Sequence, residues 1–195
     1  MSENFETLNV DRYEDRVVVE LHRPEARNAI NGRMIEELHR VCAEIEADPR
    51  PLLLTGHGTV FAGGADMAEL RARGREEALA GINSRLFERL HRLRAPTVAA
   101  VDGFALGGGA ELSYACDIRI ATHTAVFAQP EPGLGIIAGP ARAGACASWS
   151  VSRWPSRSCW AGSSSTPTRR CATAWSPRSC PPMSCASAPT ACWTA

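Results

Sequence analysis

Lysine is absent from this 195-residue chain, in which arginine supplies all 21 basic residues. Acidic residues are absent after Glu131, although the chain holds 21 of them, so the formal net charge is zero. No apolar run approaches the ~20 residues that a membrane helix needs, and the polar, acidic start does not have the pattern of a secretory signal. Without a charge excess, neither nucleic acid nor a membrane surface is favoured as a partner. We therefore expect a soluble, cytoplasmic protein.

The sequence divides near residue 139 into two parts of different composition. Residues 1–140 carry 15 Arg against 21 acidic residues, whereas residues 141–195 carry six Arg and no acidic residue. All five Trp and six of the eight Cys lie in the second part, while all five His lie in the first. We therefore assign residues 1–139 to a folded core and residues 140–195 to an aberrant tail with little structure.

A shifted reading frame in a GC-rich gene accounts for the composition of the tail. Residues 175–185 can be read in a shifted frame as L-V-A-E-V-V-P-A-D-E-L, which has the acidic and aliphatic residues that the written tail lacks. Three alternatives remain for the tail as written. Its cysteines could form a disulfide scaffold or a zinc site, although no pair has CxxC spacing. Its Arg, Ser and Trp residues could instead bind RNA.

Hydrophobic periodicity in the first part predicts strands that alternate with helices. Strands are predicted at residues 8–10, 17–21, 51–55, 97–101, 118–121 and 125–128. Helices are predicted at residues 32–47, 67–73, 82–93 and 107–116. This order indicates an α/β layered fold, built from units of two strands followed by a helix.

The most informative segment is DGFALGGGAE at residues 102–111, where a strand leads into three glycines that open a helix. Glycine lets a ligand approach the backbone closely, and the free N–H groups at a helix start favour negative charge. Glu111 lies about one helical turn past Gly108. The segment therefore sets a carboxyl group beside an anion-stabilising backbone, as acid–base chemistry next to an oxyanion requires. Close helix packing is the alternative explanation for the glycines.

Two further segments have weaker patterns. FAGGAD at residues 61–66 is a small-residue turn before a helix, which either exposes backbone N–H groups or serves only as a turn. QPEPGLG at residues 129–135 places Glu131 among residues that suppress regular structure. A solvated loop carboxylate would have the same pattern.

In this order and spacing, the three segments resemble the crotonase, or enoyl-CoA hydratase/isomerase, family. The resemblance extends over residues 13–139 and includes RPEARNA at residues 23–29. It implies a crotonase-like spiral of ββα units with surrounding helices, whose C-terminal helical region is missing or disrupted in this chain. It also implies an acyl-CoA thioester substrate, no cofactor apart from the substrate's own coenzyme A, and a homotrimer or hexamer that this tail would impair.

The resemblance assigns roles to individual positions. The backbone N–H groups of Ala65 and Gly108 would form an oxyanion hole for the thioester carbonyl. Glu111 and Glu131 would be the catalytic pair, one activating water and the other delivering a proton. The remaining substrate-binding positions, along which coenzyme A would lie, are Glu25, Ala26, Arg27, Asp66, Met67 and Ala68.

Because both glutamates are present, we expect an enoyl-CoA hydratase, a carbon–oxygen lyase of fatty acid metabolism. An enoyl-CoA isomerase or another crotonase-type enzyme is the main alternative, and an inactive acyl-CoA-binding pseudoenzyme is the non-enzymatic one. No metal site is expected, because the histidines lack a second His or Cys at metal-ligand spacing. Cys42 and Cys116 fit the apolar faces of their predicted helices and are expected to be buried thiols.

Overall fold

A computed structural model describes residues 5–135 and 157–159 of the chain. Most of the predicted tail therefore lies outside the described residues, as does the predicted disruption of the C-terminal helical region. The interpretation of residues 140–195 as a shifted reading frame stays a prediction. Among the helices described, none combines the length and the apolar character needed to cross a membrane.

The described residues form a mixed α/β fold. Its strands are β1 (Leu8–Arg12), β2 (Val17–Leu21), β3 (Leu52–Gly56), β4 (Val60–Ala62), β5 (Thr97–Val101), β6 (Phe104–Leu106), β7 (Ile118–Ala121), β8 (Val126–Ala128) and β9 (Arg157–Cys159). Its helices are α1 (Gly32–Ala47), α2 (Met67–Ala72), α3 (Arg75–Ala80), α4 (Ile82–His91) and α5 (Gly108–Ala115). Two short 3₁₀ turns are Pro24–Ala26 and Glu131–Leu134.

The strands are arranged in two sheets. The first has the order β1-β2-β3-β5-β7, in which only the β1–β2 pair is antiparallel. The second has the order β4-β6-β8-β9 and is parallel throughout. Strands β3, β5 and β7 of the first sheet are each followed by a strand of the second sheet. The chain thus advances through repeated ββ steps with helices between them, and the predicted α/β spiral of ββα units is confirmed.

Helix α1 packs one apolar face into the core. Its first turn is capped by Asn31, whose side chain accepts a hydrogen bond of 2.9 Å from the backbone of Met34. The helix buries apolar residues at helical spacing, namely Met34, Ile35, Leu38, Val41, Cys42 and Ile45. Each large aliphatic side chain buried in this way contributes about 1.5–3 kcal/mol. Cys42 and Cys116 are both buried free thiols, as expected.

Several short elements were missed from the sequence. Strands β4 and β6 have three residues each and helix α3 has six, which are too few positions to show a period. The loop expected around Glu131 contains a 3₁₀ turn instead. This turn forms because Pro130 and Pro132 hold their backbones close to the turn conformation.

Candidate active site

The glycine-rich turn after β4 is held against the start of α1. The backbone N–H of Ile30 donates to the carbonyl oxygen of Gly64 at 2.8 Å, and the N–H of Asp66 donates to the carbonyl oxygen of Ile30 at 2.9 Å. These two bonds form a parallel bridge between Ile30 and Ala65. They leave the amide of Ala65 without a backbone acceptor among residues 5–135, so this donor is available to a ligand.

The second glycine-rich turn joins β6 to α5. Gly107 has φ +47° and ψ −120°, a conformation that favours glycine. Its N–H donates to the carbonyl oxygen of Ala128 at 2.8 Å, which ties the turn to β8. Helix α5 then begins at Gly108, and the first N–H groups of a helix have no partner within it. The Gly108 amide is therefore a second available donor.

The two turns lie next to each other. A methyl group added to Gly108 would lie 3.5 Å from the amide nitrogen of Ala65 and 3.9 Å from the carbonyl carbon of Gly64. The structure thus places next to each other the two backbone positions to which the resemblance assigned the oxyanion hole.

Asn83 adds a side-chain donor that sequence analysis missed. Its Nδ2 lies 3.9 Å from the position of the same added methyl group on Gly108. Arg73 Nη1 donates to Asn83 Oδ1 at 3.4 Å, which leaves the amide nitrogen turned away from that arginine. Nothing in the local sequence marked Asn83, because it lies on α4 and reaches the glycine-rich turns only through the fold.

The two predicted catalytic carboxyl groups lie close enough to influence each other. Glu111 is on α5 and is only 7% exposed, and within the described part of the chain its carboxyl group accepts no hydrogen bond. Burial, together with the charge of Glu131, raises the pKa of Glu111 to about 7. Burial also raises the pKa of Glu131, against a smaller opposing effect of its own backbone N–H. The arrangement can hold and release a proton near neutral pH.

Glu131 is positioned by its neighbours along the chain and across the turn. With its amide nitrogen turned toward Glu131, Gln129 donates to Oε2 at 2.9 Å. The carboxylate also fills the space where a side chain on Gly107 would lie. The positive φ therefore favours glycine at position 107, and a side chain there would displace the Glu131 carboxylate.

The two segments predicted to bind coenzyme A are in contact. The N–H of Gly63 donates to the carbonyl oxygen of Arg27 at 2.9 Å, which joins the 25–27 segment to the turn that leads to Ala65. The predicted residues Glu25, Arg27, Met67 and Ala68 are exposed, and Ala26 is half-buried.

Asp66, the remaining residue of the second segment, is half-buried, and its carboxylate is paired within the protein. Its carboxylate caps α2 by accepting from the backbone N–H of Ala68 at 3.0 Å, and it pairs with Arg23 at 3.1 Å. The hydrogen bonds from Arg23 and the α2 backbone outweigh the effect of burial and hold the pKa of Asp66 below its usual value.

Asn28 was also missed from the sequence. It is a buried residue that joins the segment before α1 to the start of β4. It is 1% exposed, has φ +53°, and donates through Nδ2 to the carbonyl oxygens of Val60 at 2.7 Å and His57 at 3.0 Å. Asparagine tolerates a left-handed backbone better than most residues. It follows Arg27, which has φ +54°, so two consecutive residues adopt this conformation just before α1.

A two-sheet ββα core, with adjacent glycine-rich turns and two neighbouring glutamates, is typical of the crotonase fold. The chain matches the family model described as Enoyl-CoA hydratase/isomerase over residues 12–153, and it therefore belongs to that family.

Individual relatives agree with this assignment. A short-chain-enoyl-CoA hydratase of Clostridium acetobutylicum is 46% identical over 129 residues, which are 63% of this chain and 49% of that protein. A crotonyl-CoA hydratase of Syntrophomonas wolfei is 37% identical over 140 residues, which are 69% of this chain and 54% of that protein. The crystal structure of an enoyl-CoA hydratase from Bacillus anthracis superposes with a TM-score of 0.65 and 34% identity, covering 69% of this chain and 54% of that one. The chain spans about half the length of the curated relatives it matches.

Proposed function

We propose that this chain carries the active site of an enoyl-CoA hydratase, which adds water across the 2,3-double bond of an enoyl-CoA thioester. The proposal depends on one observation above all: Glu111, a buried carboxyl group with a pKa of about 7, lies beside Glu131 and one turn along α5 from Gly108. The names of the hydratases among its relatives support the same reaction.

The backbone amides of Ala65 and Gly108 stabilise the intermediate in this proposal. Attack of water on the β-carbon moves an electron pair toward the thioester, and negative charge develops on the carbonyl oxygen. Two fixed N–H donors lower the energy of this enolate, and one such donor is commonly worth about 3–4 kcal/mol. Their adjacent placement supports this role.

The two glutamates divide the proton transfers. Glu111 takes a proton from water as the new carbon–oxygen bond forms, and Glu131 delivers a proton to the α-carbon as the enolate collapses. Two close carboxyl groups resist double ionisation, so one is held protonated while the other is charged. The raised pKa of both groups supports such a shared-proton arrangement. The reaction uses no cofactor beyond the coenzyme A of the substrate.

The exposed segment at residues 25–27 and residues 66–68 would bind coenzyme A. Arg27 places a cation on this surface, and its carbonyl oxygen is bonded to the turn before Ala65. The thioester would then enter between the two glycine-rich turns. Residues beyond 139 would normally close the acyl pocket and support a homotrimer or hexamer, a state that we propose is impaired here.

The test is hydration of crotonyl-CoA, followed by loss of the conjugated absorbance and by mass analysis of the product. We expect turnover by the chain and a loss of at least about 100-fold in Glu111→Gln and in Glu131→Gln, since general acid–base groups commonly contribute about 10²–10⁴-fold. Glu14→Gln, which changes an exposed carboxylate, is the control and should retain full activity. A product with a moved double bond and no added water would indicate an isomerase, and acyl-CoA binding without any product would indicate a pseudoenzyme.

A further inference from the structure

Two histidines and a glutamate lie together in a part of the structure that the proposed function does not use. One ligand atom from each of Glu20, His22 and His57 lies within 4.8 Å of the other two. Glu20 is on β2, His22 follows that strand, and His57 follows β3. Sequence spacing did not indicate this group, because the two histidines are brought together only by the pairing of β2 with β3.

The backbone of each residue is fixed before any ligand binds. Parallel pairing places Glu20 opposite Thr55 on β3. The N–H of His57 donates to the carbonyl oxygen of Leu21 at 2.9 Å, and the N–H of His22 donates to that of Thr7 at 2.8 Å. The side chains therefore extend from two adjacent strand ends whose relative position is set by hydrogen bonds. A site built on such a frame loses little conformational freedom when it binds an ion.

The polar atoms of this cluster are incompletely paired. His57 Nδ1 lies 3.2 Å from Glu20 Oε1, whereas His22 Nδ1 lies 3.9 Å from Glu20 Oε2, beyond hydrogen-bond distance. His22 Nδ1 is buried and has no hydrogen-bond partner among the described residues. A buried polar nitrogen without a partner costs free energy, which a bound ligand would recover.

A neighbouring residue already orients the carboxylate. Asn9 on β1 donates through Nδ2 to Glu20 Oε2 at 2.7 Å. An outer partner of this kind holds a metal-binding carboxylate in position and is part of most protein metal sites.

We propose that Glu20, His22 and His57 form a binding site for a first-row divalent transition-metal ion, with Zn²⁺ as the best fit. Two imidazole nitrogens and one carboxylate oxygen are a ligand set that Zn²⁺ accepts, with a fourth position left for water. Ligands at about 2.0–2.1 Å from a tetrahedral ion lie about 3.3 Å apart. The His57–Glu20 separation of 3.2 Å is close to this value. No two of the three ligand atoms lie more than 4.8 Å apart, so the largest separation has to shorten by no more than about 1.5 Å. The proposal replaces our sequence-based expectation that the chain has no metal site.

The experiment is titration of the metal-free full chain with Co²⁺ and with Zn²⁺ alone. The thiols are first alkylated with iodoacetamide, because the cysteines after residue 139 could otherwise bind either ion. Visible absorbance of bound Co²⁺ reports coordination number, and the absence of a thiolate charge-transfer band shows that only nitrogen and oxygen ligands are used. Thermal unfolding is a second readout, since an ion that binds only the native state raises Tm.

The variants separate this cluster from other histidines. His22→Ala and His57→Ala should each weaken binding by more than about tenfold, because losing even an outer-shell partner commonly costs about 10- to 100-fold. His123→Ala removes an exposed histidine outside the cluster and should bind as the parent does. Glu20→Gln keeps an oxygen for Asn9 while removing the charge, so it tests the site even if a histidine variant unfolds.

Binding of one ion per chain, lost in the cluster variants and kept in His123→Ala, would support the proposal. Binding unchanged in His22→Ala, His57→Ala or Glu20→Gln would overturn it. So would failure of the alkylated chain to bind either ion below about millimolar concentration, the weak end of the usual affinity scale.

Discussion

Glu111 and Glu37 are both buried glutamates, yet their surroundings act on them in opposite ways. The Glu37 carboxylate accepts from the backbone N–H groups of Glu6 at 2.8 Å and Thr7 at 3.0 Å, and Arg33 lies 3.1 Å away. Burial acts to raise the pKa of Glu37, but these partners outweigh it and lower the pKa. Glu111 lacks such partners within residues 5–135, so burial raises its pKa to about 7.

The first residue-scale prediction concerns the pH dependence of the proposed reaction. If one proton is shared by the pair, with ionised Glu111 as the base and protonated Glu131 as the acid, kcat/KM for crotonyl-CoA hydration should have a bell-shaped dependence on pH. The fall on the alkaline side should begin near pH 7, where the raised pKa of Glu111 beside charged Glu131 marks the loss of the shared proton. Initial rates between about pH 5 and 9 measure this profile. A rate that rises through pH 7 and stays level above it would contradict a shared proton.

The second residue-scale prediction compares the effects of Glu111→Gln and Glu37→Gln on the free energy of unfolding. A folded-state pKa raised above the unfolded value of 4.5 means that the native state binds the extra proton, so Glu111 lowers stability as pH rises from 4.5 to about 7. Glu111→Gln removes this penalty and should raise the free energy of unfolding at pH 8 by on the order of 1–3 kcal/mol.

Glu37→Gln should lower the free energy of unfolding by about 1–3 kcal/mol, because its new NH₂ group would face backbone donors. Urea denaturation of both variants at pH 8 measures the two effects. Equal signs for the two variants would contradict the contrast drawn between these carboxyl groups.

At the scale of elements, two adjacent glycines at the start of α5 differ in what surrounds them. Gly108 borders the proposed oxyanion site, and Gly109 packs against β4. A methyl group on Gly108 would make only ordinary contacts, at 3.5 Å from the Ala65 amide nitrogen. A methyl group on Gly109 would overlap the carbonyl oxygen of Ala62 and lie 2.7 Å from its Cβ. Two adjacent glycines are therefore required for different reasons, one to leave room for a ligand and the other to let α5 pack on β4.

Alanine substitution at these glycines should separate activity from folding. Gly108→Ala should keep its melting temperature but lose about 10²–10³-fold in kcat, since the added methyl group occupies the space in front of the amides. Gly109→Ala should lower the free energy of unfolding by about 1–3 kcal/mol or more through overpacking. Thermal unfolding and crotonyl-CoA turnover of both variants provide the measurement. A fully active Gly108→Ala would contradict the need for open space in front of this amide.

Helix α4 should contribute to the site through Asn83, whose Nδ2 approaches the same space. Asn83→Ala removes a donor that lies near the developing charge but farther away than the two backbone amides. We therefore expect a loss of about tenfold in kcat with little change in KM. Asn83→Asp keeps the shape but adds negative charge and should be worse. Steady-state kinetics of the two variants measure these losses in kcat. Equal activity of Asn83→Ala and Asn83→Asp would contradict a donor role for Asn83.

The sequence was informative where a pattern extended over many residues. Helix α1 was predicted at its observed bounds because its apolar residues recur over four turns and Asp48-Pro49 ends it. Strands β2 and β5 were found for similar reasons. The three-residue strands β4 and β6 carry no period, although β4 leads directly into the turn with Ala65. Asn83 and the pairing of His22 with His57 depend on contacts between distant segments, which one sequence does not reveal.

For the whole molecule, strand β7 is the edge of the first sheet within the described residues, and it presents apolar side chains to solvent. Ile118 is 53% exposed and Ile120 is 61% exposed. On the second sheet, Phe104 is 49% exposed. An exposed apolar edge strand is a template for pairing with another chain. The full chain should therefore self-associate through this surface.

Ile120→Lys tests this expectation. A charge on the edge strand should reduce association, while the change in unfolding free energy stays within about 0.5 kcal/mol for an exposed position. Leu79→Lys is the matched control, since Leu79 is an apolar residue that is 69% exposed and belongs to α3 instead of β7. Sedimentation velocity at several concentrations measures both variants. If the control reduces association equally, the contact is not specific to β7.

The bridge between Ile30 and Ala65 has a consequence for any attempt to divide or rearrange this protein. The Ala65 amide, one donor of the proposed active site, is oriented by the hydrogen bonds of Ile30. In the chain, Ile30 precedes Ala65 by the whole of α1 and β3. A fragment that starts after α1 would retain Glu111, Glu131 and both glycine-rich turns, yet nothing would fix the direction of the Ala65 amide. Split or permuted versions of the chain should thus recover activity only when the N-terminal fragment docks again and restores those two hydrogen bonds.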